Sequence, residues 1–233
     1  MRKILIIFLL LMSSSSYSQK FSMDNTKNFI RDEFFEYELS WPPKNIVLRI
    51  FKHEKELELW VSDDIFGPFE LFKTYSICMV SGEVGPKRRE GDLQVPEGFY
   101  YITDLNSASQ YHLSLGINYP NSSDKILGSR NKLGGSIYLH GECVSIGCIA
   151  MNNRDIEEIY TICIFIKTNK IQVQIFPIRF DDGKSYEYLI KKLKNKENLI
   201  NFERNMNEGY NFFEFKKRPP YIFIDDDGYY YFY

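Results

Sequence analysis

The 233-residue sequence has no excess of charge of either sign: 29 Lys and Arg stand against 31 Asp and Glu, a net charge of −2. A nucleic-acid partner is therefore not expected, because phosphate backbones call for a clustered basic excess. Internal repeats and long Gly/Ser linkers are also missing, so the chain reads as one unit with appended elements. Beyond the first dozen residues no run is long and apolar enough to span a bilayer. Cysteine is scarce, at four, and a domain of this size does not need disulfides to fold. What the sequence does have is 44% hydrophobic residues and 16% aromatics, 17 Tyr and 19 Phe among them, enough to fill a core.

The N-terminus pairs a basic start, Arg2 and Lys3, with an apolar run from Ile4 to Met12 and small residues at Ser16 and Ser18. That is the pattern of a secretory signal peptide, and the run is well short of the ~20 residues of a membrane helix. Cleavage near Ser18 is expected, giving a periplasmic protein with no membrane span in its mature form. No cysteine follows the signal to take a lipid. Export would place Cys78, Cys143, Cys148 and Cys163 where thiols can oxidise, and four thiols allow three complete pairings.

Hydrophobic patterning predicts a mainly β protein with α elements. Phe29 to Leu39 reads as a short amphipathic helix stopped by Trp41-Pro42-Pro43. Ile46 to Phe51 and Leu57 to Val61 read as a hairpin leading to Tyr75 to Val80, with further strands around Phe99 to Ile102, Tyr111 to Leu115 and Ile137 to Leu139. Asn153 is placed to cap a helix whose apolar stripe is Ile156, Ile159, Tyr160, Cys163 and Lys167, which makes Cys163 a core thiol. Ile171, Val173 and Ile175 alternate with Gln172 and Gln174 as in a half-buried strand. Ser185 to about Met206 reads as helical, and the chain closes on a hairpin turned by Asp225-Asp226-Asp227-Gly228. The expected division is a signal at 1–18, a lead-in at 19–44, a catalytic unit at 45–180 and an extension at 181–233.

The stretch with chemical content runs from Ile137 to Met151. It ends a strand on His140 and reaches Cys148 eight residues later, just ahead of an expected helix. A thiolate is a nucleophile, a nearby imidazole lowers a thiol's pKa and carries its proton, and helix amides can receive an oxyanion. Taken alone the pair is a weak signal. His140, Cys143 and Cys148 also read as three zinc ligands lacking a fourth, and Cys143 with Cys148 as a disulfide that would silence the thiol. Cys78 reads as a packing residue. His53 and His112, with no motif around them, read as structural.

The block His140-Gly141 followed by Ser145-x-Gly147-Cys148-Ile149-x-Met151 resembles the signature of the L,D-transpeptidase catalytic domain, the YkuD family of bacterial cell-wall enzymes. Ser81-Gly82, Gly85-Pro86-Lys87, Gly91-Asp92 and Pro96 to Tyr100 resemble the strand and loop upstream of it. Leu57 to Trp60, Tyr75 to Cys78, Asn118 to Asn121 and Gly134-Gly135 bring it closest to the YafK-type subgroup. Ile146 stands where many members carry a second histidine, and the interval from His140 to Cys148 is short, as in that subgroup.

The resemblance implies a β-sandwich catalytic domain with a helical and hairpin extension. Cys148 would be the nucleophile and His140 its acid/base partner, with the Gly141 carbonyl holding the imidazole tautomer. The amides of Gly147 and Cys148 would form the oxyanion hole. Ser145, Tyr138 and Lys87 would face substrate, Ser145 having the alternative of a turn hydroxyl and Lys87, with Arg88 and Arg89, that of a solvated loop. No cofactor or metal is implied. The implied substrates are stem tetrapeptides of peptidoglycan, with an amine-bearing envelope protein as a further partner. Transfer to water, giving a hydrolase of stem-peptide or protein-anchor amides, is the first alternative, and a non-catalytic peptidoglycan-binding module the second.

Overall fold

A computed structural model describes residues 21–129, 132–166 and 170–233. The expected signal and Lys167 lie outside them. In chain order the elements are α1 (Met23–Glu36), β1 (Asn45–Phe51), β2 (Glu56–Ser62), β3 (Glu70–Val80), β4 (Gly98–Asn106), β5 (Ser114–Ile117), α2 (Ser122–Leu127), β6 (Tyr138–His140), β7 (Ile149–Met151), α3 (Asn153–Phe165), β8 (Gln172–Phe176), α4 (Gly183–Leu193), α5 (Glu197–Lys216), β9 (Ile222–Ile224) and β10 (Tyr230–Phe232). Among the described residues no helix is long and apolar enough to cross a membrane.

Eight strands follow one another around a closed barrel in the order β1-β2-β3-β7-β6-β5-β4-β8, and β8 returns to β1 in parallel. The α+β expectation stands, and the two layers of the expected sandwich are continuous at both edges. Ile46, Leu48 and Ile50 of β1 point inward with Val173 and Ile175 of β8, into a core that also takes Ile30 and Phe34 of α1 and Ile156, Ile159 and Cys163 of α3. This alternation is what a closed sheet requires, since every second side chain must fill the interior.

The outward face of β1 and β8 is buried as well, which alternation alone does not predict. α5 and the β9–β10 hairpin cover it, enclosing Val47, Phe51, Phe176 and Phe213. Gln172 and Gln174, read from sequence as solvent-facing, are therefore buried. Gln174 accepts from Arg49 Nε at 3.2 Å and Gln172 donates to the Pro220 carbonyl at 3.2 Å. Arg49, wholly enclosed, pairs with Glu214 of α5 at 2.7 Å and lies 4.1 Å from the Phe213 ring centre. Cutting Phe213 to alanine would remove about 3–5 kcal/mol and leave that cation poorly covered.

Several boundaries differ from the sequence reading. α1 stops at Glu36 because Glu38 turns left-handed, φ 59°, and Leu39 bonds back to the Phe34 carbonyl, ahead of the proline pair. Tyr111 and His112 lie in a turn before β5, and the expected single helix from Ser185 is two, broken at Asn195 with φ 66°. The terminal hairpin forms as expected, with Gly228 at φ 87°.

Candidate active site

β6 and β7 are parallel neighbours, with Leu139 opposite Ile149 and His140 opposite Ala150. Parallel strands usually need about a dozen residues or a helix to connect them, yet only Gly141 to Cys148 intervene. The crossover is made tight by left-handed backbone at Glu142 (φ 70°), Cys143 (φ 47°) and Gly147 (φ 94°). It is also fastened from outside, because Cys143 forms a disulfide with Cys78 of β3. The sequence reading of Cys78 as a packing residue is thus corrected. With Cys143 bonded to Cys78, the zinc grouping and the Cys143–Cys148 bridge both fall away, and the binding-module alternative loses the pairing it needed. Cys148 and Cys163 are free thiols. Burial pushes Cys163 up to about 12, as befits a core residue.

Cys148 sits immediately before β7 and beside Tyr138, two register positions from His140. It does not precede a helix: β7 and Asn152 separate it from α3, so the expected help from a helix N-terminus is absent. Its sulfur accepts from the Tyr138 amide at 3.4 Å and donates to the Ser136 carbonyl at 3.6 Å. Tyr138 thus contributes its backbone to the thiol. Burial pushes the thiol pKa up, against the Tyr138 amide and the Lys87 charge that pull it down.

His140 is almost fully buried, and its Nδ1 lies 2.7 Å from the Gly141 carbonyl oxygen. A carbonyl only accepts, so Nδ1 carries the proton and Nε2 is the free base. The Tyr111 ring lies 4.7 Å from the imidazole. Burial lowers the histidine pKa, opposed by the Gly141 bond. Both shifts favour neutral forms. The resting site is therefore thiol and imidazole, where the sequence reading expected a thiol pKa lowered by the histidine.

The two expected oxyanion amides are both occupied by hydroxyls. Gly147 donates to Ser81 Oγ at 2.5 Å and Cys148 donates to Ser145 Oγ at 2.9 Å. Ser145 returns a bond to the Cys148 carbonyl at 2.7 Å, which makes it a turn hydroxyl and not a free substrate contact. Gly147 has no atom within 4 Å of where a Cβ would stand, so its glycine serves the left-handed backbone.

Lys87 does not project into solvent. It is buried, donating to Asp92 at 2.7 Å and to the Arg89 carbonyl at 2.8 Å, while the Asp92 carboxylate also takes the Arg88 and Arg89 amides. The basic run is thus wrapped around an aspartate. Arg88 lies over the Phe202 ring at 4.6 Å and 3.6 Å from Asp124, whose carboxyl burial raises to about 6.

One positioning residue escaped the sequence reading. α3 begins one residue earlier than expected, so Asn152 is the cap, accepting from the Asp155 amide at 2.9 Å. Asn153 is freed to accept from the Glu142 amide at 2.8 Å and to donate to the Glu142 carboxylate at 3.0 Å. A Cβ on Gly141 would stand 2.6 Å from Asn153 Oδ1, so this turn closes only around glycine. The structural reading of the other histidines agrees with their contacts: His53 stacks on Tyr188 at 4.2 Å and His112 meets Glu157 at 2.6 Å.

The parallel β6–β7 pair with its fastened crossover lies within residues 52–175, the span matched by the profile of the YkuD L,D-transpeptidase catalytic domain. The chain belongs to the YkuD family. It is similar to YafK of Escherichia coli (strain K12), 32% identical over 237 residues that cover 98% of this chain and 90% of that one. Among solved structures it is similar to the helical cell shape determining protein Pgp2 from Campylobacter jejuni, with TM-score 0.46 and 19% identity over 88% of this chain and 81% of that one. It is also similar to Mycobacterium tuberculosis L,D-transpeptidase 1, with TM-score 0.33 and 11% identity over 57% and 62%. The YkuD span closes with β8, so α4, α5 and the hairpin follow it. This is a family of peptidoglycan-modifying enzymes that act on peptidoglycan peptides.

Proposed function

We propose that the protein is an exported cysteine peptidyltransferase that cleaves the amide between the third, diamino-acid residue of a stem tetrapeptide and its terminal D-alanine. The observation that carries this reading is the His140 tautomer: with Nδ1–H held by the Gly141 carbonyl, Nε2 is left as a base beside the strand end that bears Cys148. Nε2 takes the thiol proton as Cys148 Sγ bonds to the carbonyl carbon. The tetrahedral oxyanion draws on the Gly147 amide once Ser81 yields it, while Ser145 keeps the turn at Cys148 closed. Its collapse breaks the C–N bond, Nε2–H protonates the departing D-alanine amine, and a thioester remains on Cys148. An acceptor amine, deprotonated by Nε2, then displaces the thiolate to give a 3-3 crosslink or a protein attachment.

Because both groups rest neutral, the proton moves only when substrate arrives, which spares the thiol from oxidation and stray alkylation. Export is part of the proposal. It is supported by the N-terminal pattern and by the Cys78–Cys143 disulfide, which suits an oxidising compartment.

The test is incubation of purified protein with tetrapeptide muropeptides, followed by product masses. Dimers lighter than two tetrapeptides by one D-alanine are expected, and none from Cys148→Ala. Tripeptide plus free D-alanine without dimers would replace the transferase with the hydrolase reading. No Cys148-dependent product of either kind would refute both.

A further inference from the structure

α5 is buried along one side only. Phe202, Met206, Tyr210 and Phe213 face the barrel, whereas Asn201, Arg204, Glu208, Phe212 and Phe215 recur three or four residues apart on another face. That row spans ~21 Å at 1.5 Å per residue. The β9–β10 hairpin runs beside it, pinned by Asn205, which accepts from the Tyr230 amide at 2.7 Å and donates to the Tyr230 carbonyl at 2.8 Å. Between helix and hairpin lies an open groove of about 950 Å³. Phe215 is 82% exposed and Tyr231 51% exposed. Both rings belong to the groove's lining, so their uncovered faces are open to a ligand there.

The lining identifies the ligand class. Rings alternate with amides, a guanidinium and carboxylates, so the groove is neither apolar enough for an amphipathic helix nor basic enough for a phosphate backbone. Arg204 is countered by Glu208 and Asp225 in the same lining. A flat ligand with apolar C–H faces and a rim of hydroxyls and amides fits this arrangement, since ring faces take the C–H surfaces and planar polar groups take the rim. Those are the properties of sugar rings bearing N-acetyl groups.

We infer that the α5–hairpin groove binds the β-linked amino-sugar strand of peptidoglycan, holding the polymer whose stem peptides the Cys148 site processes. The inference rests on the proposed function for its choice of polymer. The hairpin is held to α2, where Ser123 donates to the Gly228 carbonyl at 2.6 Å.

The test uses full-length Cys148→Ala protein and peptide-free glycan strands, followed by calorimetry and by hydrogen exchange. Saturable binding is expected, with slowed exchange over 201–231 and at least tenfold weaker binding in Phe215→Ala/Tyr231→Ala. Arg204→Ala should also weaken binding, and it keeps the test informative if the aromatic double variant melts early. No saturable binding, equal binding by these variants, or displacement of the strands by free stem tetrapeptide would overturn the inference. Turnover of glycan-free tetrapeptide by the wild-type protein is measured alongside. Its absence would count against the proposed function and not against the groove.

Discussion

Ser145 closes a turn on Cys148, accepting from its amide at 2.9 Å and donating to its carbonyl oxygen at 2.7 Å. The Ser81 hydroxyl holds the preceding amide, that of Gly147, from a different strand end. The two serines therefore have separable roles, one shaping the backbone of Cys148 and the other only occupying an amide.

Ser145→Ala removes both bonds of that turn, each worth about 1 kcal/mol net. A loss of about tenfold or more in kcat is expected, with KM little changed, and Ser145→Thr should restore most of it. Ser81→Ala should leave kcat unchanged or raise it, because it removes a competitor for an amide the transition state needs. Steady-state kinetics on tetrapeptide muropeptides compares the variants. Equal losses would mean that Ser81 positions the loop as strongly as Ser145.

The shifts on Cys148 and His140 have a definite sign. Burial raises the thiol and lowers the imidazole, so below the ordinary thiol range Cys148 holds less thiolate than a free cysteine. Iodoacetamide should modify Cys148 at pH 7 more slowly than it modifies a cysteine peptide, with a rate that climbs about tenfold per pH unit through pH 8. An ion pair would instead give a flat, fast rate across neutral pH. The acid limb of kcat/KM reports His140 and should fall below 6.5, the ordinary histidine value.

The Cys78–Cys143 disulfide closes a span of 65 residues and holds the crossover between His140 and Cys148. Its loss should remove about 2–4 kcal/mol of stability. Denaturant melts of wild type should shift with reductant, and those of Cys78→Ser/Cys143→Ser should not. Alkylation of the unfolded, unreduced protein should label two thiols, Cys148 and Cys163. Four labelled thiols in protein purified without reductant would show that the loop is held by its other bonds alone.

The sequence made the barrel strands visible where one side chain in two is apolar, as in β1, β2 and β8, and the family visible through the motif around His140 and Cys148. What it hid was determined by distant partners. Gln172, Gln174 and Arg49 look like solvent-facing residues until α5 is laid over them, and Glu214, the partner of Arg49, stands 165 residues away. The disulfide was one of several pairings that four cysteines permit. Asn153 was misread by a single residue: two adjacent asparagines can each cap α3, and choosing the first releases the second to hold Glu142.

A buried carboxyl beneath α5 gives a last prediction. Glu203 is enclosed between α5 and the barrel, with its carboxyl against that of Glu97. Burial, followed by the nearby charge of Glu97, pushes its pKa well above 4.5, while Glu97 keeps its own partner in Lys52 at 2.8 Å. The folded state therefore retains a proton that the unfolded chain releases above the ordinary glutamate range. With more protons bound when folded, stability falls as pH rises from about 4.5 towards the folded pKa. Glu203→Gln keeps the shape without the titration, so it should raise the melting temperature at pH 8 and flatten its decline between pH 5 and pH 8. Thermal melts of both proteins across that range decide the matter. An identical slope in the variant would place the pH sensitivity elsewhere, with Asp124, which titrates near 6, as the next group to replace.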